Sequence, residues 1–336
     1  MSTRLHTLGL SLCVALASCV ASDPTGIRRA PEPQKVDLAS ARAASRAGDW
    51  KLAASSWYEL YLRDDEGSPM ACVEAARALC ALEDLISAKN LLDLGLKRHP
   101  NDPDLLEMQG NVLVEAGFRR AAEPFYERAI DVDPRRLSAL LALARARVDL
   151  NLEASAVPLL ERRISLGGGD AETWLLLARA QRAAGNHPRS LEAYDRAFEL
   201  GESRPDRLVY AASAYFDADE QDRAGLGPGR VVRWLERAVE LDPQATRAHE
   251  LLGRLAEDRG DLDAALERYR RAHETDPSDR TSLRRLARLY AKRGALAQAL
   301  EFADKLIALE KDSERKDELQ RWRDSIADPA PPPDGR

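Results

Sequence analysis

Aromatic residues are scarce in this 336-residue chain, at 5%, and it has only 5 histidines and 4 cysteines. The low aromatic content argues against a large aromatic core and suits helices that pack through small residues. None of the scattered histidines has a Cys, His or carboxylate at the spacing of metal ligands, so we expect no zinc site. After the N-terminus no stretch approaches about 18 consecutive apolar residues, so we expect no internal transmembrane helix.

Signs of catalysis or of nucleic-acid binding are also missing. The net charge of −6 argues against a protein whose surface as a whole binds nucleic acid. The glycine-rich segments 167–169 and 225–229 lack the Lys-Ser/Thr of a phosphate-binding loop, and both are predicted to be turns. The chain has no Gly-x-Ser-x-Gly motif. We therefore expect no enzymatic activity, no metal and no cofactor.

A 34-residue period runs through the chain, most visibly in Pro100 and Pro134 and again in Pro243 and Pro277. Self-similarity of this length is typical of stacked helical hairpins. Small residues recur where the two helices of a hairpin must approach closely, at Gly110, Ala144, Ala178, Gly253 and Ala287. One interval is seven residues too long, which places an insertion at 220–229, either a tolerated surface loop or a partner contact.

Local signals predict where the helices end. Gly117, Gly185, Gly260 and Gly294 follow the first helix of their pairs, where a left-handed residue is needed. The Asp-Pro steps at Asp133, Asp242 and Asp276 are predicted to stop the second helix. Cys72 and Cys80 lie eight residues apart on one helix, about 12 Å along its axis. That distance is too long for a disulfide, so both are predicted to be buried thiols.

These landmarks resemble the tetratricopeptide repeat (TPR), whose pattern is Trp-x2-Leu-Gly-x2-Tyr, then Ala-x3-Phe, then Pro. The clearest copies are Leu252-Gly253 with Ala265-x3-Tyr269 and Pro277, and Gly110 with Ala122-x3-Tyr126 and Pro134. The resemblance implies an all-α, right-handed superhelical solenoid of about eight TPR hairpins. The predicted hairpins are 35–68, 69–102, 103–136, 137–170, 171–204, 205–245, 246–279 and 280–313. A capping helix at 314–327 and a Pro-rich, disordered tail at 328–336 complete the prediction.

The N-terminus combines a basic residue, a short apolar run and a cysteine. Residues 1–18 contain Arg4 and a short apolar run that ends in Leu16-Ala17-Ser18-Cys19, which resembles the lipobox. The resemblance implies that Cys19 is lipidated and becomes the first residue of the mature protein, and that two or more acyl chains hold it at a membrane. The alternative is a secretory signal that is cleaved without lipidation, or a buried helix. In the lipoprotein sorting pattern of enteric Gram-negative bacteria, an aspartate directly after the cysteine retains the protein at the inner membrane. Val20 occupies that position here. The resemblance therefore favours the outer membrane, facing the periplasm, over the inner membrane. Residues 19–34 form a predicted tether.

One position of each hairpin, directly after the small residue at the helix crossing, faces the concave groove in TPR arrays. It is occupied here by Arg77, Asn111, Arg145, Arg179, Ser213, Arg254 and Arg288. Stacked helices lie about 10 Å apart, and a row of guanidinium groups would suit carboxylates. The alternative is a solvated face of mixed charge. Glu250, one turn before Arg254, would then form an ordinary ion pair with it.

The sequence therefore predicts a lipid-anchored TPR scaffold for protein–protein interactions in the bacterial cell envelope, serving the assembly or recruitment of an envelope machine. Its expected partners are other proteins, bound as a peptide or helix in the concave groove, and the membrane through Cys19. No nucleic-acid partner is expected. The alternative is a subunit of polysaccharide synthesis or export machinery that binds an anionic polymer or acidic peptide through Arg145, Arg179, Arg254 and Arg288.

Overall fold

A computed structural model describes residues 36–64, 67–219, 223 and 225–327. The predicted signal peptide, Cys19, the tether and the tail at 328–336 lie outside these residues, as do four positions of the insertion. Within the described ranges the chain forms 17 α-helices and no strand. It divides into two compact units, Met1–Gly168 and Gly169–Arg336.

The first unit consists of four helical hairpins in its described part. Each helix packs against its successor to form a hairpin, and successive hairpins contact one another. The helices are α1 (Leu38–Ala47), α2 (Trp50–Arg63), α3 (Pro69–Ala81), α4 (Leu85–Arg98), α5 (Pro103–Glu115), α6 (Arg119–Val132), α7 (Leu137–Asp149) and α8 (Glu153–Ser165).

The second unit has four further hairpins and a terminal helix that packs on the last of them. Its helices are α9 (Ala171–Ala183), α10 (His187–Glu199), α11 (Pro205–Asp217), α12 (Gly229–Leu241), α13 (Thr246–Asp258), α14 (Leu262–Thr275), α15 (Arg280–Lys292), α16 (Leu296–Ala308) and α17 (Ser313–Ala327). The insertion lies between α11 and α12, the two helices of one hairpin. The all-α fold of about eight hairpins with a capping helix is confirmed. None of the helices in the described ranges combines the length and the apolar character of a membrane span.

The predicted helix ends are confirmed, and their hydrogen bonds show why. Gly117 and the three equivalent glycines have φ between +75° and +85°. Each Asp of the Asp-Pro steps is the C-cap of its helix and accepts a hydrogen bond from the backbone N–H two residues later, as Asp133 does from Arg135 at 3.1 Å. This short Asx turn directs the chain into the next hairpin. Of the two cysteines, Cys72 is buried as expected, whereas Cys80 is only partly buried.

Small residues at the helix crossings allow large side chains to fill the space between helices. A Cβ added to Gly110 would lie 2.5 Å from Cε1 of Tyr126, and one added to Gly253 would lie 2.9 Å from the same atom of Tyr269. Both tyrosines are almost fully buried. In the first unit Tyr126 belongs to a hydrophobic cluster that runs from α5 through α6 to α7. The close crossing therefore also connects neighbouring hairpins.

A buried carboxyl group links the first helices of the last two hairpins. Glu250 of α13 is 6% exposed and hydrogen-bonds the side chain of Asp279, which is the N-cap of α15. Burial, with Asp279 nearby, raises the pKa of Glu250 to about 7. Burial also acts to raise the pKa of Asp279, but its bonds with Glu250 and Ser282 lower it below the ordinary value. A protonated Glu250 can therefore donate to an ionised Asp279.

The close crossing at Gly110 predicts that Gly110→Ala lowers the melting temperature. Alanine gains about 1 kcal/mol of helix propensity, but its methyl group displaces the buried Tyr126 ring, and overpacking costs roughly 1–3 kcal/mol. Thermal unfolding followed by circular dichroism measures the difference. Gly253→Ala, with slightly longer contacts, should have a smaller effect, and Gly229→Ala, with no atom near the added Cβ, should not destabilise. Equal melting temperatures for all three variants would contradict the close crossing.

The buried carboxyl group predicts a pH dependence of stability. Because folding raises the pKa of Glu250 from 4.5 to about 7, its stabilising contribution is complete below about pH 4.5 and is lost as the pH rises through 7. Glu250→Gln keeps a hydrogen-bond donor and removes the titration. Between pH 5 and 8 the wild type should lose about 2 kcal/mol relative to this variant, measured by urea unfolding. Glu318→Gln, exposed on α17, is the control, and parallel pH profiles for wild type and Glu250→Gln would refute the assignment.

Candidate functional site

The first unit contains a cavity of about 570 Å³ between the first helices of three successive hairpins. Its volume falls within the range of small-molecule binding pockets. The residues that line it are Arg77, Cys80 and Ala81 of α3, Met108, Asn111, Val114 and Glu115 of α5, Tyr126 of α6, and Ala142, Arg145, Ala146 and Asp149 of α7.

Three residues of the predicted concave row meet at this cavity, namely Arg77, Asn111 and Arg145. The repeat places them there because each follows the small residue that packs against the second helix. Asn111 is held in place by Tyr126, whose hydroxyl donates a 2.8 Å hydrogen bond to Asn111 Oδ1. The same tyrosine ring packs over Gly110, so the close crossing also orients a side chain of the cavity.

Charges of both signs surround the cavity. Arg77 and Arg145 are matched in number by Glu115 and Asp149. Arg77 is exposed, and its closest carboxylate is that of Glu74 at 3.7 Å. Asp149 forms an ion pair with Arg119 at 3.4 Å. The rim is thus nearly neutral, whereas the floor contains apolar side chains.

Two proton donors face the cavity and remain protonated at neutral pH. Burial and the neighbouring Glu115 raise the pKa of the Cys80 thiol to about 12. Burial, with Glu107 and Glu115 nearby, also raises the pKa of the Tyr126 phenol. Neither group supplies a thiolate or phenolate, and the hydroxyl hydrogen of Tyr126 is already donated to Asn111. The arrangement is therefore suited to binding an apolar group with polar atoms around it.

The rest of the predicted row lies in the second unit, in varied surroundings. Arg179 is exposed on α9, and Ser213 donates its hydroxyl hydrogen to the carbonyl oxygen of Tyr210 at 2.6 Å. The guanidinium carbon of Arg254 lies 4.3 Å from the centre of the Phe216 ring. The expected ion pair between Glu250 and Arg254 is wrong, because Glu250 pairs with Arg247 at 2.5 Å and Arg254 stacks on the aromatic ring instead.

Arg288 belongs to a group of arginines that the comparison of repeats did not reveal. Arg280, Thr281, Arg284, Arg285 and Arg288, all on α15, line a smaller cavity of about 290 Å³. An alignment that compares one position in each repeat finds Arg288 alone. The other arginines occupy different positions of the same helix, so that alignment does not include them. The signal was present in the segment Arg280-Thr-Ser-Leu-Arg-Arg-Leu-Ala-Arg288, with its arginines four residues apart.

Comparisons with known proteins agree with this architecture. Two models of the tetratricopeptide repeat match the chain, at residues 107–171 and 256–321. No curated protein sequence matches the chain significantly.

One solved structure shows the same fold, and others align less well. The C-terminal part of a TPR repeat-containing protein from Cytophaga hutchinsonii aligns with a TM-score of 0.59 and 16% identity, over 74% of this chain and 99% of that one. MamA aligns with a TM-score of 0.47 and 21% identity, over 52% of this chain and 92% of its own. YrrB, a TPR protein with an unusual peptide-binding site, aligns with a TM-score of 0.38 and 17% identity, over 68% and 97%. Because the TM-scores of MamA and YrrB are below 0.5, only the Cytophaga structure supports the fold.

The hairpins, the glycine and Asp-Pro helix ends and the two matching models lead to one conclusion. This chain contains tetratricopeptide repeats, stacked as helical hairpins in each of its two units.

Proposed function

We propose that the protein is a lipid-anchored TPR scaffold of the bacterial cell envelope, which recruits or positions other proteins of an envelope machine. The observation that carries the proposal is the cavity of the first unit, where three successive hairpins contribute Arg77, Asn111 and Arg145. A site built from several repeats can recognise a length of protein chain rather than a single small group. Protein binding therefore fits the architecture.

The lining of the cavity indicates what kind of segment it would take. Met108, Val114 and Ala142 offer apolar contact for one side chain of a partner. Around them, Asn111 and the four charged groups can bond to peptide groups and polar side chains. Because the charges balance, a strongly acidic or strongly basic segment gains no net attraction. A segment with an apolar anchor and polar flanks fits best.

The envelope location is supported by the N-terminal sequence. The segment Leu16-Ala17-Ser18-Cys19 follows a short apolar run, as in a lipoprotein signal. Lipidation of Cys19 with two or more acyl chains would anchor the protein stably. Val20 favours outer-membrane sorting, with the repeats facing the periplasm. The fifteen residues from Val20 to Gln34 could extend about 50 Å, which would allow the repeats to reach partners away from the bilayer.

The anchor predicts that Cys19→Ala abolishes lipid attachment. Cells grown with an alkyne-tagged fatty acid should label the wild-type protein and leave the variant unlabelled, because the thiol that accepts the lipid is gone. The variant should also leave the membrane fraction if its signal is cleaved by another route. Cys80→Ala, which removes a partly buried thiol of the first unit, is the matched control and should keep the label. A labelled Cys19→Ala protein would refute the anchor.

The cavity predicts position-specific crosslinking. A photoreactive amino acid in place of Val114 should crosslink a discrete partner protein in intact cells, because this side chain lines the cavity. The same probe at Glu161, exposed on the second helix of the next hairpin, should not. Arg145→Glu should reduce the Val114 crosslink, since it reverses one charge at the rim. Equal crosslinking from Val114 and Glu161, or none from either, would contradict the scaffold function.

A further inference from the structure

Helix α15 concentrates positive charge in a chain whose net charge is negative. Its thirteen residues, Arg280–Lys292, contain four arginines and one lysine and no acidic residue. The net charge of the whole chain is −6. The helix is the first of the last hairpin, and its leucines and Ala287 are buried against the core. The arginines are therefore on the side that the hairpin leaves open.

These arginines form a regular array. Arg280, Arg284 and Arg288 follow one another at intervals of four residues, which is about 6 Å along a helix axis. With Thr281 and Arg285 they line the cavity of about 290 Å³. We call Arg280, Arg284, Arg285 and Arg288 the arginine face.

Two members of the arginine face are already paired. Arg280 lies 3.1 Å from Glu310, and Arg285 lies 3.2 Å from Glu257. Arg284 and Arg288 are exposed and form no ion pair with any described residue. Like charges four residues apart destabilise a helix. An anion that bridges Arg284 and Arg288 would remove this repulsion.

We propose that the arginine face binds an extended segment of a partner protein with acidic residues at alternate positions. Side chains on one side of an extended chain recur every two residues, about 6.6–6.8 Å apart, close to the spacing of the arginines. Each guanidinium can donate two parallel hydrogen bonds to a carboxylate, which forms a bidentate pair. The inference rests on the proposed function, because it assigns one kind of partner chemistry to a protein-binding scaffold.

The surroundings favour an extended protein segment over other anionic occupants. Leu283, Leu286 and Leu289 are at most 1% exposed, so an amphipathic helix would find no apolar surface there. A polysaccharide would lack aromatic rings to stack on, because the one aromatic residue of α15, Tyr290, is stacked on Phe302 with ring centres 5.6 Å apart. What the arginine face offers a partner is therefore positive charge at regular intervals, which matches the acidic side chains of an extended segment.

Peptide binding to the full-length protein tests the proposal. The probe is a fluorescent peptide of alternating aspartate and glycine, and binding is followed by fluorescence anisotropy. Arg284→Glu with Arg288→Glu should weaken binding at least tenfold, because it reverses the two unpaired charges. The matched control, Arg189→Glu with Arg270→Glu, makes the same change in net charge at exposed positions on the second helices of the same unit and should bind like the wild type. Arg284→Lys with Arg288→Lys should weaken binding severalfold, since lysine keeps the charge without the bidentate geometry.

Several results would overturn the proposal. Equal weakening by the control pair would show attraction by net charge alone. Equal affinity for a peptide of the same composition with its aspartates consecutive would remove the role of spacing, and tighter binding of polygalacturonate would assign the face to a polysaccharide. The Val114 crosslink keeps the two proposals distinguishable. If that crosslink forms and the acidic peptide does not bind, only the arginine face is wrongly assigned.

Discussion

The close crossing of the two helices in each hairpin is the constraint on which the rest of this structure depends. A single hairpin cannot bury its own apolar face, so it is stable only when neighbours cover that face. At Gly110 the absence of a side chain allows the Tyr126 ring to lie between the helices, and the same ring extends the hydrophobic cluster to the next hairpin. One pair of residues thus sets both the geometry within a hairpin and its contact with the neighbour.

The same constraint determines which side chains are available for binding. With the small residue turned toward the second helix, the residue that follows it must turn away. Repetition of this arrangement in the first unit brings Arg77, Asn111 and Arg145 to one cavity, although 34 residues separate each from the next. The Tyr126–Asn111 hydrogen bond shows the link directly, because one side chain fills the crossing and orients a residue of the cavity. The binding surface is therefore a consequence of the packing rather than an addition to it.

The fold could be predicted from the sequence because its signals are local and repeated. Gly117 and Asp133 mark helix ends by their own backbone chemistry, without help from distant residues. The division into two units was not predicted, since the period continues across Gly168 and Gly169. The partner of Glu250 was predicted wrongly for a different reason. Spacing along a helix allows a pair with Arg254 as readily as one with Arg247, and the choice was made by Asp279 and Phe216 from other hairpins.

The candidate site of the second unit was only partly visible in the sequence, because a comparison of equivalent positions detects rows across helices. The arginine face runs along one helix, so this comparison found Arg288 and missed Arg280 and Arg284. Its function as a binding surface depends on something that a sequence does not show, namely which arginines are already paired.

The unequal pairing of these arginines also has an energetic consequence. Ion pairs with Glu310 and Glu257 restrict the side chains of Arg280 and Arg285, which lowers the entropy that is lost when a partner binds beside them. Arg284, between these two residues in the sequence, and Arg288, after them, supply positive charge that no carboxylate of the described residues neutralises. Association at the arginine face should therefore weaken steeply as ionic strength rises, because exposed charges are screened over about 8–10 Å at physiological salt. The cavity of the first unit, with balanced charges and an apolar floor, should bind with little dependence on salt.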